Sequence, residues 1–317
     1  MGFDKMKKYR VKLKFRTPLH VGEKDNIYNA VSKFVHSDTI FSGLVNAYNI
    51  LFGGEKTEKF LNVIIEDPDI FRISSSFFYY KDIYFYPKPF GYNFGLDKFY
   101  LDDMKKIRKL EFVSEEFLKG NVENPVIFGK FATNGKNVEE FVHVRDVPRI
   151  VNDRITNEVS IFYMSYVTFD KDSGLWFFLD VDESLENEVF ASLKLLGDEG
   201  IGGERTYGYG AFEFDVEEVD LKSEGKMFLL LSSYYPKDQS EVRKVIYYKI
   251  YEKTGYVFSL YDNTKRQPIV RLFSEGSVFS DKVVGKILDI TPKGFKYHRV
   301  YKYARAYLIP IEKEALK

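Results

Sequence analysis

The 317-residue chain contains no cysteine, which excludes disulfides, thiolate zinc sites and thiol nucleophiles. Its four histidines leave little material for a conventional metal cluster. Net charge is also absent, because 47 lysines and arginines balance 47 aspartates and glutamates. The overall charge therefore gives no indication of a nucleic-acid partner, and any such partner has to be argued from local patterns.

Long apolar runs are missing as well. No stretch approaches the roughly 20 apolar residues of a membrane helix, and no apolar core of a signal peptide follows the basic N-terminus. The sequence therefore favours a cytoplasmic protein without a membrane segment. Aromatic residues, in contrast, are abundant, with 24 tyrosines and 30 phenylalanines. Most of them belong in a core, but surplus tyrosines are typical of base-stacking and interface surfaces.

Residues 197–210 hold six of the 22 glycines of the chain. This run follows an amphipathic helical segment and precedes an alternating strand, which is the reverse of the strand–loop–helix order of mononucleotide sites. Two interpretations remain open. The run is either a helix C-cap and a tight turn, which needs one or two glycines, or a cradle of bare main-chain amides for an anion. Arg205 would add a planar cation to such a cradle.

Strict alternation predicts a strand over residues 5–16. Its apolar face carries Tyr9, Val11, Leu13 and Phe15, and its basic face carries Arg10, Lys12, Lys14 and Arg16. Four cations on one face are tolerated if they are solvated or if an anion lies across them. A basic sheet face is also where RRM-like domains hold RNA.

The remaining pattern indicates an α+β chain. A helix is expected from residue 37 to about residue 52, capped by Ser37 or Asp38. Hairpins are expected over 71–86 and over 160–181. With the glycine-run helix and the strand after it, these elements follow the βαββαβ order of a ferredoxin-like domain, and either hairpin could supply its central pair.

Two ferredoxin-like (RRM-like) domains with antiparallel sheets are therefore predicted. The first covers residues 1–218 and carries a long insertion at about 87–157, with one charged helix near 101–119. An acidic linker leads to the second and smaller domain, residues 219–317, in which a helix is expected over 241–252.

Two further stretches combine cations with other features. Arg145, Arg149 and Arg154 end the insertion, and arginines without lysine suit forked phosphate contacts or stacking. The alternative is a solvent-facing loop. Residues 296–307 interleave tyrosines with lysines and arginines. That pattern suits single-stranded RNA or a partner protein, and equally a core strand with charged outward positions.

Five segments carry a family resemblance. The run Gly-x-Gly-Gly-x-Arg-x-x-Gly-x-Gly at 200–210 resembles the glycine-rich loop of the RAMP superfamily of CRISPR proteins. Segments 37–44, 152–156, 271–279 (with Glu-Gly-Ser) and 298–303 add to this likeness. Together they resemble the RAMP subunit of type III-A Csm effector complexes that caps the 5′ end of the CRISPR RNA, the fourth Csm subunit.

The resemblance implies a non-catalytic RNA-binding subunit that holds the repeat-derived 5′ handle of the CRISPR RNA. Its partners would be the large polymerase-like subunit and the first backbone RAMP subunit, without cofactor, metal or small-molecule substrate. In that family the insertion forms a thumb-like hairpin laid on the RNA. The RNA-binding residues expected here are Lys12, Lys14, Arg16, His20, His36, Ser37, Arg145, Arg149, Asn152, Arg154, Gly200, Gly202, Gly203, Arg205, Thr206 and Tyr207.

Three rival functions stay open from the sequence. Some RAMP proteins are metal-independent endoribonucleases that cut the repeat with a histidine base, for which His20 and His36 are the candidates. A target-cleaving backbone subunit would use a loop aspartate, and no aspartate here stands out. A protein-interaction scaffold would make no RNA contact at all.

Overall fold

The structure is a computed structural model that describes residues 6–22, 30–100, 103–152, 159–221, 225–259 and 261–312. The helices are α1 (Ser37–Phe52), α2 (Gly54–Glu66), α3 (Met104–Lys109), α4 (Glu115–Leu118), α5 (Glu183–Glu199) and α6 (Gln239–Val242). None of these helices is long and apolar enough to cross a bilayer. The mixed α+β class is confirmed.

The first part of the chain is organised around one large sheet. Its strands are β1 (Met6–Phe15), β2 (Phe71–Ile73), β3 (Phe77–Tyr80), β4 (Ile83–Pro87), β5 (Phe112–Ser114), β6 (Pro125–Phe128), β7 (Phe131–Asn134), β10 (Ser173–Asp182) and β11 (Phe212–Glu218). The strand order is β11-β1-β10-β3-β4-β5-β7-β6, with β2 also paired to β10. Strand β1 buries Tyr9, Val11 and Leu13, as its alternation predicts.

The βαββαβ core consists of β1, α1, β2 with β3, β10, α5 and β11, and all its strand pairs are antiparallel. Its second and third strands in chain order, β2 with β3 and then β10, come one from each of the two predicted hairpins. The hairpin expected over 160–181 is therefore wrong. Strand β9 (Val159–Phe169) pairs along its length with β8 (Val142–Asn152), and the chain then turns through Asp172 into β10. The β8–β9 pair forms a separate two-stranded sheet, which is called the arm below.

The insertion extends the main sheet. Strand β4 pairs with β5, β5 with β7, and β7 with β6, so residues 112–134 of the insertion add three strands to the sheet beyond β4. The charged helix expected near 101–119 is broken up into α3, β5 and α4. Helix α2 was not predicted, although its buried residues Thr57, Phe60 and Ile64 follow helical spacing.

The second part of the chain is mostly strand. Its strands are β12 (Met227–Leu230), β13 (Val245–Tyr247), β14 (Ile250–Lys253), β15 (Val270–Phe273), β16 (Val278–Phe279), β17 (Gly285–Asp289), β18 (Tyr301–Arg305) and β19 (Leu308–Ile311). The helix expected over 241–252 is wrong, because this β-branched and aromatic stretch forms β13 and β14. In its described residues this part has one four-residue helix, α6, and not the two helices of a ferredoxin-like domain.

The two parts share one hydrophobic core. The ring of Tyr307 stacks on Phe178 of β10, with 5.4 Å between centroids. Tyr303 of β18 lies 5.2 Å from Phe41 of α1, and its hydroxyl accepts a hydrogen bond from the amide of Ile73 at 3.1 Å. The strands before and after residue 218 therefore belong to different sheets, but the hydrophobic core continues across that boundary.

Candidate nucleic-acid interface

The glycine run folds back on its own main chain. A Cβ added at Gly200 would lie 2.4 Å from the carbonyl oxygen of Tyr209, and one at Gly202 would lie 2.3 Å from that of His20. Both residues have positive φ, +85° and +96°, a region that side chains other than glycine adopt at a cost. These glycines are therefore required by close packing of the backbone.

Most amides of this run are committed to internal hydrogen bonds. The amide of Gly200 donates to Leu196 at 2.9 Å, that of Gly203 to His20 at 2.8 Å, and that of Gly210 to Pro18 at 2.8 Å. The prediction that Gly200 and Gly203 cradle a phosphate with bare N–H groups is therefore wrong. Among the predicted cradle glycines, Gly202 alone has an amide without a partner in the described part of the chain.

The tip of the run presents side chains outward. Residues Arg205–Tyr207 form a short 3₁₀ helix between Glu204 and Gly208, which are both left-handed. Thr206 is exposed, and Tyr207 is 67% exposed. The guanidinium of Arg205 lies over the ring of Phe258, 4.3 Å from its centroid. It forms no hydrogen bond or ion pair with the described residues, so its N–H edges are available to a ligand.

The β8–β9 arm lies beside this tip. The guanidinium of Arg149 lies 4.6 Å from the ring centroid of Tyr207 and 4.0 Å from the carboxylate of Glu204. At the base of the arm, Leu19 and Val167 exchange backbone hydrogen bonds at 2.9 and 2.8 Å. Three segments that are distant in sequence therefore meet at the tip: the arm, the glycine run and the loop that carries Phe258.

Phe258 was missed by the sequence reasoning. The signal was present, because Tyr256, Phe258 and Tyr261 precede Lys265 and Arg266 in the same mixture of aromatics and cations that drew attention to residues 296–307. Nothing local indicates that this loop reaches Arg205, which lies in the first part of the chain.

The basic face of β1 is paired with acidic residues of β11 and of α5. Lys14 lies 2.5 Å from Asp215, and Arg16 lies 3.0 Å from Asp198. Lys12 has no such partner in the described residues, but its ammonium lies 4.7 Å from the ring centroid of Tyr79. Because acids neutralise much of this face and aromatic rings cover it, it is not the open cationic platform that the alternation suggested.

The two histidines proposed as bases are held by hydrogen bonds. His20 is buried, and its Nδ1 donates to the carbonyl oxygen of Ser165 at 2.7 Å. His36 donates from Nδ1 to the carboxylate of Glu275 at 2.9 Å and stacks on Tyr251. The structure thus places one beside the glycine run and the other at the joint between the two parts of the chain.

Ser37 and Asp38 belong to the same joint and do not cap α1, whose N-cap residue is His36. The Ser37 hydroxyl accepts a hydrogen bond from the amide of Ser233 at 3.1 Å. Asp38 is buried between Lys253, at 2.9 Å, and Lys302, at 3.2 Å. Burial alone would raise the pKa of Asp38, but the two ammonium groups outweigh it and hold that pKa well below its usual range.

The Glu-Gly-Ser segment, residues 275–277, has a structural role in this joint. The carboxylate of Glu275 accepts hydrogen bonds from His36 and from the hydroxyl of Ser75. Gly276 accepts one from the amide of Phe90 at 2.9 Å. The motif therefore joins the last part of the chain to the first.

The remaining predicted residues lie on or beyond the arm. Arg145 is exposed and forms no ion pair with the described residues. Arg154 lies outside the described residues, as does the side chain of Asn152. Of the sixteen expected RNA-binding residues, the structure brings Arg149, Arg205, Thr206 and Tyr207 together on one surface.

Comparison with protein families covers nearly the whole chain. Residues 12–213 match the model of the RAMP superfamily, and residues 223–311 match that of the CRISPR Csm4 C-terminal domain. A Methanocaldococcus jannaschii protein described as CRISPR system Cms protein Csm4 is 26% identical over 96% of this chain and 97% of its own length. A protein of the same description from Thermococcus onnurineus is 28% identical, over 87% and 91%.

Solved structures show the same fold. A chain in the crystal structure of the Csm3–Csm4 subcomplex of the type III-A CRISPR-Cas interference complex superposes with a TM-score of 0.69 at 21% identity, covering 96% of this chain and 99% of that one. A chain of the Csm1–Csm4 cassette in complex with cA4 gives 0.63 at 21% identity, over 96% and 98%. The chain therefore belongs to the RAMP superfamily and, within it, to the Csm4 family of type III-A CRISPR complexes.

Proposed function

We propose that this chain is a non-catalytic RNA-binding subunit that caps and positions the 5′ handle of the CRISPR RNA. The observation that carries this proposal is the meeting of Arg205, Tyr207 and Arg149 at the tip of the glycine run. Arg205 has an uncommitted guanidinium edge, and Tyr207 an exposed ring. A single strand of RNA is held by such a combination of phosphate-binding cations and stacking rings.

Each group has a separate task in this proposal. The ring of Phe258 fixes the plane of the Arg205 guanidinium, so that its N–H edges can fork onto a phosphate with little loss of side-chain entropy. Tyr207 offers a face on which a base can stack. Arg149 lies against Tyr207 and draws the arm toward the strand. The glycine run contributes a rigid backbone that holds these side chains in place.

The cations of β1 have a smaller part. Lys14 and Arg16 are paired with carboxylates at 2.5 and 3.0 Å, so their fields are largely cancelled beyond the Debye length of about 8 Å at physiological salt. They guide the RNA only weakly.

The partners follow from the relatives. Solved structures contain Csm4 in complex with Csm3 and with Csm1. We infer that this chain likewise bridges the large polymerase-like subunit to the backbone RAMP subunits. Surface composition supports protein contacts, because the arm exposes Ile150 (69%), Ile161 (64%) and Tyr163 (59%).

The absence of RNA cleavage is supported by the surroundings of the two histidines. Nδ1 of His20 is bound to a buried carbonyl and Nδ1 of His36 to a buried carboxylate. The two side chains belong to different sites, one at the glycine run and one at the joint. These two histidines therefore do not form a pair of acid and base at the tip where the RNA would lie.

The test uses the full chain and an RNA that carries the repeat-derived handle, labelled at its 3′ end. Fluorescence anisotropy over a series of salt concentrations gives the binding constant. Its logarithm should fall linearly with the logarithm of the salt concentration, because phosphate contacts release counterions. A scrambled RNA of equal length should bind more weakly, and gels should show intact RNA throughout. Cleavage of the RNA, or equal affinity for both RNAs at all salt concentrations, would contradict the proposal.

A further inference from the structure

A second charged site lies at the opposite end of β1, between the two parts of the chain. It is a cavity of about 180 Å³ whose polar lining consists of Lys8, Arg72, Asp180, Lys282, Arg305 and Tyr307. Lys8 precedes the end of β1, Phe15, by seven residues, so on the order of 20 Å of extended strand separates it from the glycine run. The cavity is therefore distinct from the proposed RNA-binding surface.

Arg305 is a buried cation without an ion-pair partner among the described residues, and the carboxylates of Asp67 and Asp69 act on it only from beyond ion-pair distance. Its side chain is 5% exposed, and its terminal nitrogens donate to the carbonyl oxygens of Ile64 and Ile65 at the end of α2. Its Nε has no hydrogen-bond partner. Within the described ranges no carboxylate lies within 4.0 Å of this guanidinium. A buried charge in such surroundings is costly unless an opposite charge approaches it.

Two lysines add unpaired charge to the same cavity. The ammonium groups of Lys8 and Lys282 form no ion pair with the described residues. Arg72 contributes a fourth cation, which is shared with the carboxylate of Asp69 and the carbonyl oxygen of Pro68. Four cations therefore line a space that holds about six water volumes of roughly 30 Å³ each.

The acidic side chain that lines this cavity is Asp180. It accepts a hydrogen bond from the hydroxyl of Tyr307 at 2.6 Å. Burial raises the pKa of Asp180 to about 6, and the opposing effects of Tyr307, Lys8 and Arg72 are smaller. These three side chains face Asp180 from β1, from β2 and from the segment between β18 and β19. One carboxylate offsets only part of the positive charge.

We propose that this cavity is a binding site for a phosphate group, either inorganic phosphate or the terminal phosphate of a nucleotide or an RNA end. A phosphate monoester carries nearly two negative charges and three acceptor oxygens at neutral pH. It thereby matches two ammonium groups without ion-pair partners in the described residues and two guanidinium groups held by their neighbours. Because residues of both parts of the chain line the site, an occupant would also strengthen their junction.

The test is a titration of the full chain with inorganic phosphate in a buffer that contains no phosphate, with the heat of binding measured by calorimetry. The double variant Lys8→Ala/Lys282→Ala removes the two lysines of the cavity, of which Lys8 is half-buried and Lys282 exposed, and it should weaken phosphate binding at least tenfold. Lys293→Ala/Lys296→Ala, which alters two other exposed lysines, should bind as the wild type does. Phosphate binding by the wild type that the first double variant leaves unchanged would overturn the proposal, as would no binding at millimolar phosphate.

Two further measurements keep the assignment specific. Sulfate stays a dianion between pH 5 and pH 8. It should bind more tightly at pH 5, because Asp180 is protonated there and no longer repels the anion. Asp180→Asn should abolish this difference in affinity. An unchanged difference in Asp180→Asn would contradict the site. Comparison of AMP with RNAs that bear a 5′-phosphate or a 5′-hydroxyl distinguishes a free small ligand from an RNA end. Preference for the phosphorylated RNA would identify the RNA end as the source.

Discussion

Gly202 lies directly against the main chain of His20, since a Cβ at Gly202 would stand 2.3 Å from the carbonyl oxygen of His20. With φ at +96°, the backbone of Gly202 is also unfavourable for other residues. We expect Gly202→Ala to lower the free energy of unfolding by about 2–4 kcal/mol, because it adds backbone strain to an overlap of atoms. Handle-RNA affinity should fall with it, since the tip is displaced. Urea denaturation and anisotropy measure the two effects.

Gly208→Ala is the matched control for this variant. Gly208 has a similar φ of +80°, but no atom lies within 4 Å of the position its Cβ would take. Only the backbone strain remains, about 1–2 kcal/mol. Equal losses of stability in the two variants would show that the contact with His20 does not matter.

Arg205 and Arg16 are both arginines of the predicted RNA-binding set, but only Arg16 is paired with a carboxylate. Arg205→Ala should therefore weaken handle-RNA binding about tenfold and reduce the slope of the salt dependence by about one. Arg16→Ala should change the affinity less than about twofold, because the ion pair with Asp198 already cancels its charge. Anisotropy at three or more salt concentrations measures both quantities. If Arg16→Ala weakened RNA binding more than Arg205→Ala does, the RNA would lie on the basic face of β1 and not at the tip of the glycine run.

Phe258 should act on RNA binding through Arg205. Its ring lies 4.3 Å from the guanidinium, a contact worth about 0.5–1 kcal/mol at an exposed site. Phe258→Ala should weaken handle-RNA binding by roughly two- to fivefold. When Arg205 is already alanine, Phe258→Ala should cause no further loss of affinity. Phe258→Tyr should restore the affinity. Additive losses in the double variant would mean that Phe258 contacts the RNA independently.

The fold could be predicted where the signal is local. The alternation of β1 and the apolar spacing and glycine stop of α1 gave those elements to within a residue or two. The pairing of β9 could not be predicted, because the turn after Phe169 is real but leads from the arm into the main sheet. Which strand lies beside β9 depends on contacts between residues far apart in sequence.

The site was predictable to a similar degree. The glycine run drew Arg205 into the candidate site, and Tyr207 entered it through the family resemblance. It did not identify Phe258, whose neighbour is distant in sequence. The neutralisation of β1 was open to prediction, because Glu213, Asp215 and Glu217 alternate on β11 as the cations do on β1. That prediction requires the knowledge that β1 and β11 are neighbours in the sheet.

Asp38 should contribute strongly to stability, because it lies between Lys253 and Lys302 at 2.9 and 3.2 Å. Asp38→Asn leaves Lys302, which is 5% exposed, without a counter-charge, and should cost about 3–5 kcal/mol. The pKa of this carboxyl is lowered by folding, so its contribution is fully present above the unfolded pKa of about 4 and is lost only below it. Urea denaturation at pH 5, 7 and 8 should give the same loss each time. A loss that shrinks at pH 5 would contradict this assignment.

Asp180 should show the opposite dependence on pH. Burial raises its pKa to about 6 in the folded chain, against an ordinary value of 3.8. The folded state therefore binds this proton more tightly than the unfolded state does, so the carboxyl lowers stability as pH rises from about 4 to 7. Asp180→Asn removes that cost while its amide oxygen can still accept the hydrogen bond from Tyr307. In phosphate-free buffer the variant should be more stable than the wild type by up to about 3 kcal/mol at pH 8 and by little at pH 4.

Asp289→Asn is a control of opposite sign, because hydrogen bonds from Thr291 and the ion pair with Arg299 outweigh burial and lower the pKa of Asp289. A stability difference for Asp180→Asn that does not change with pH would show that the carboxyl is ionised at no cost in the folded chain.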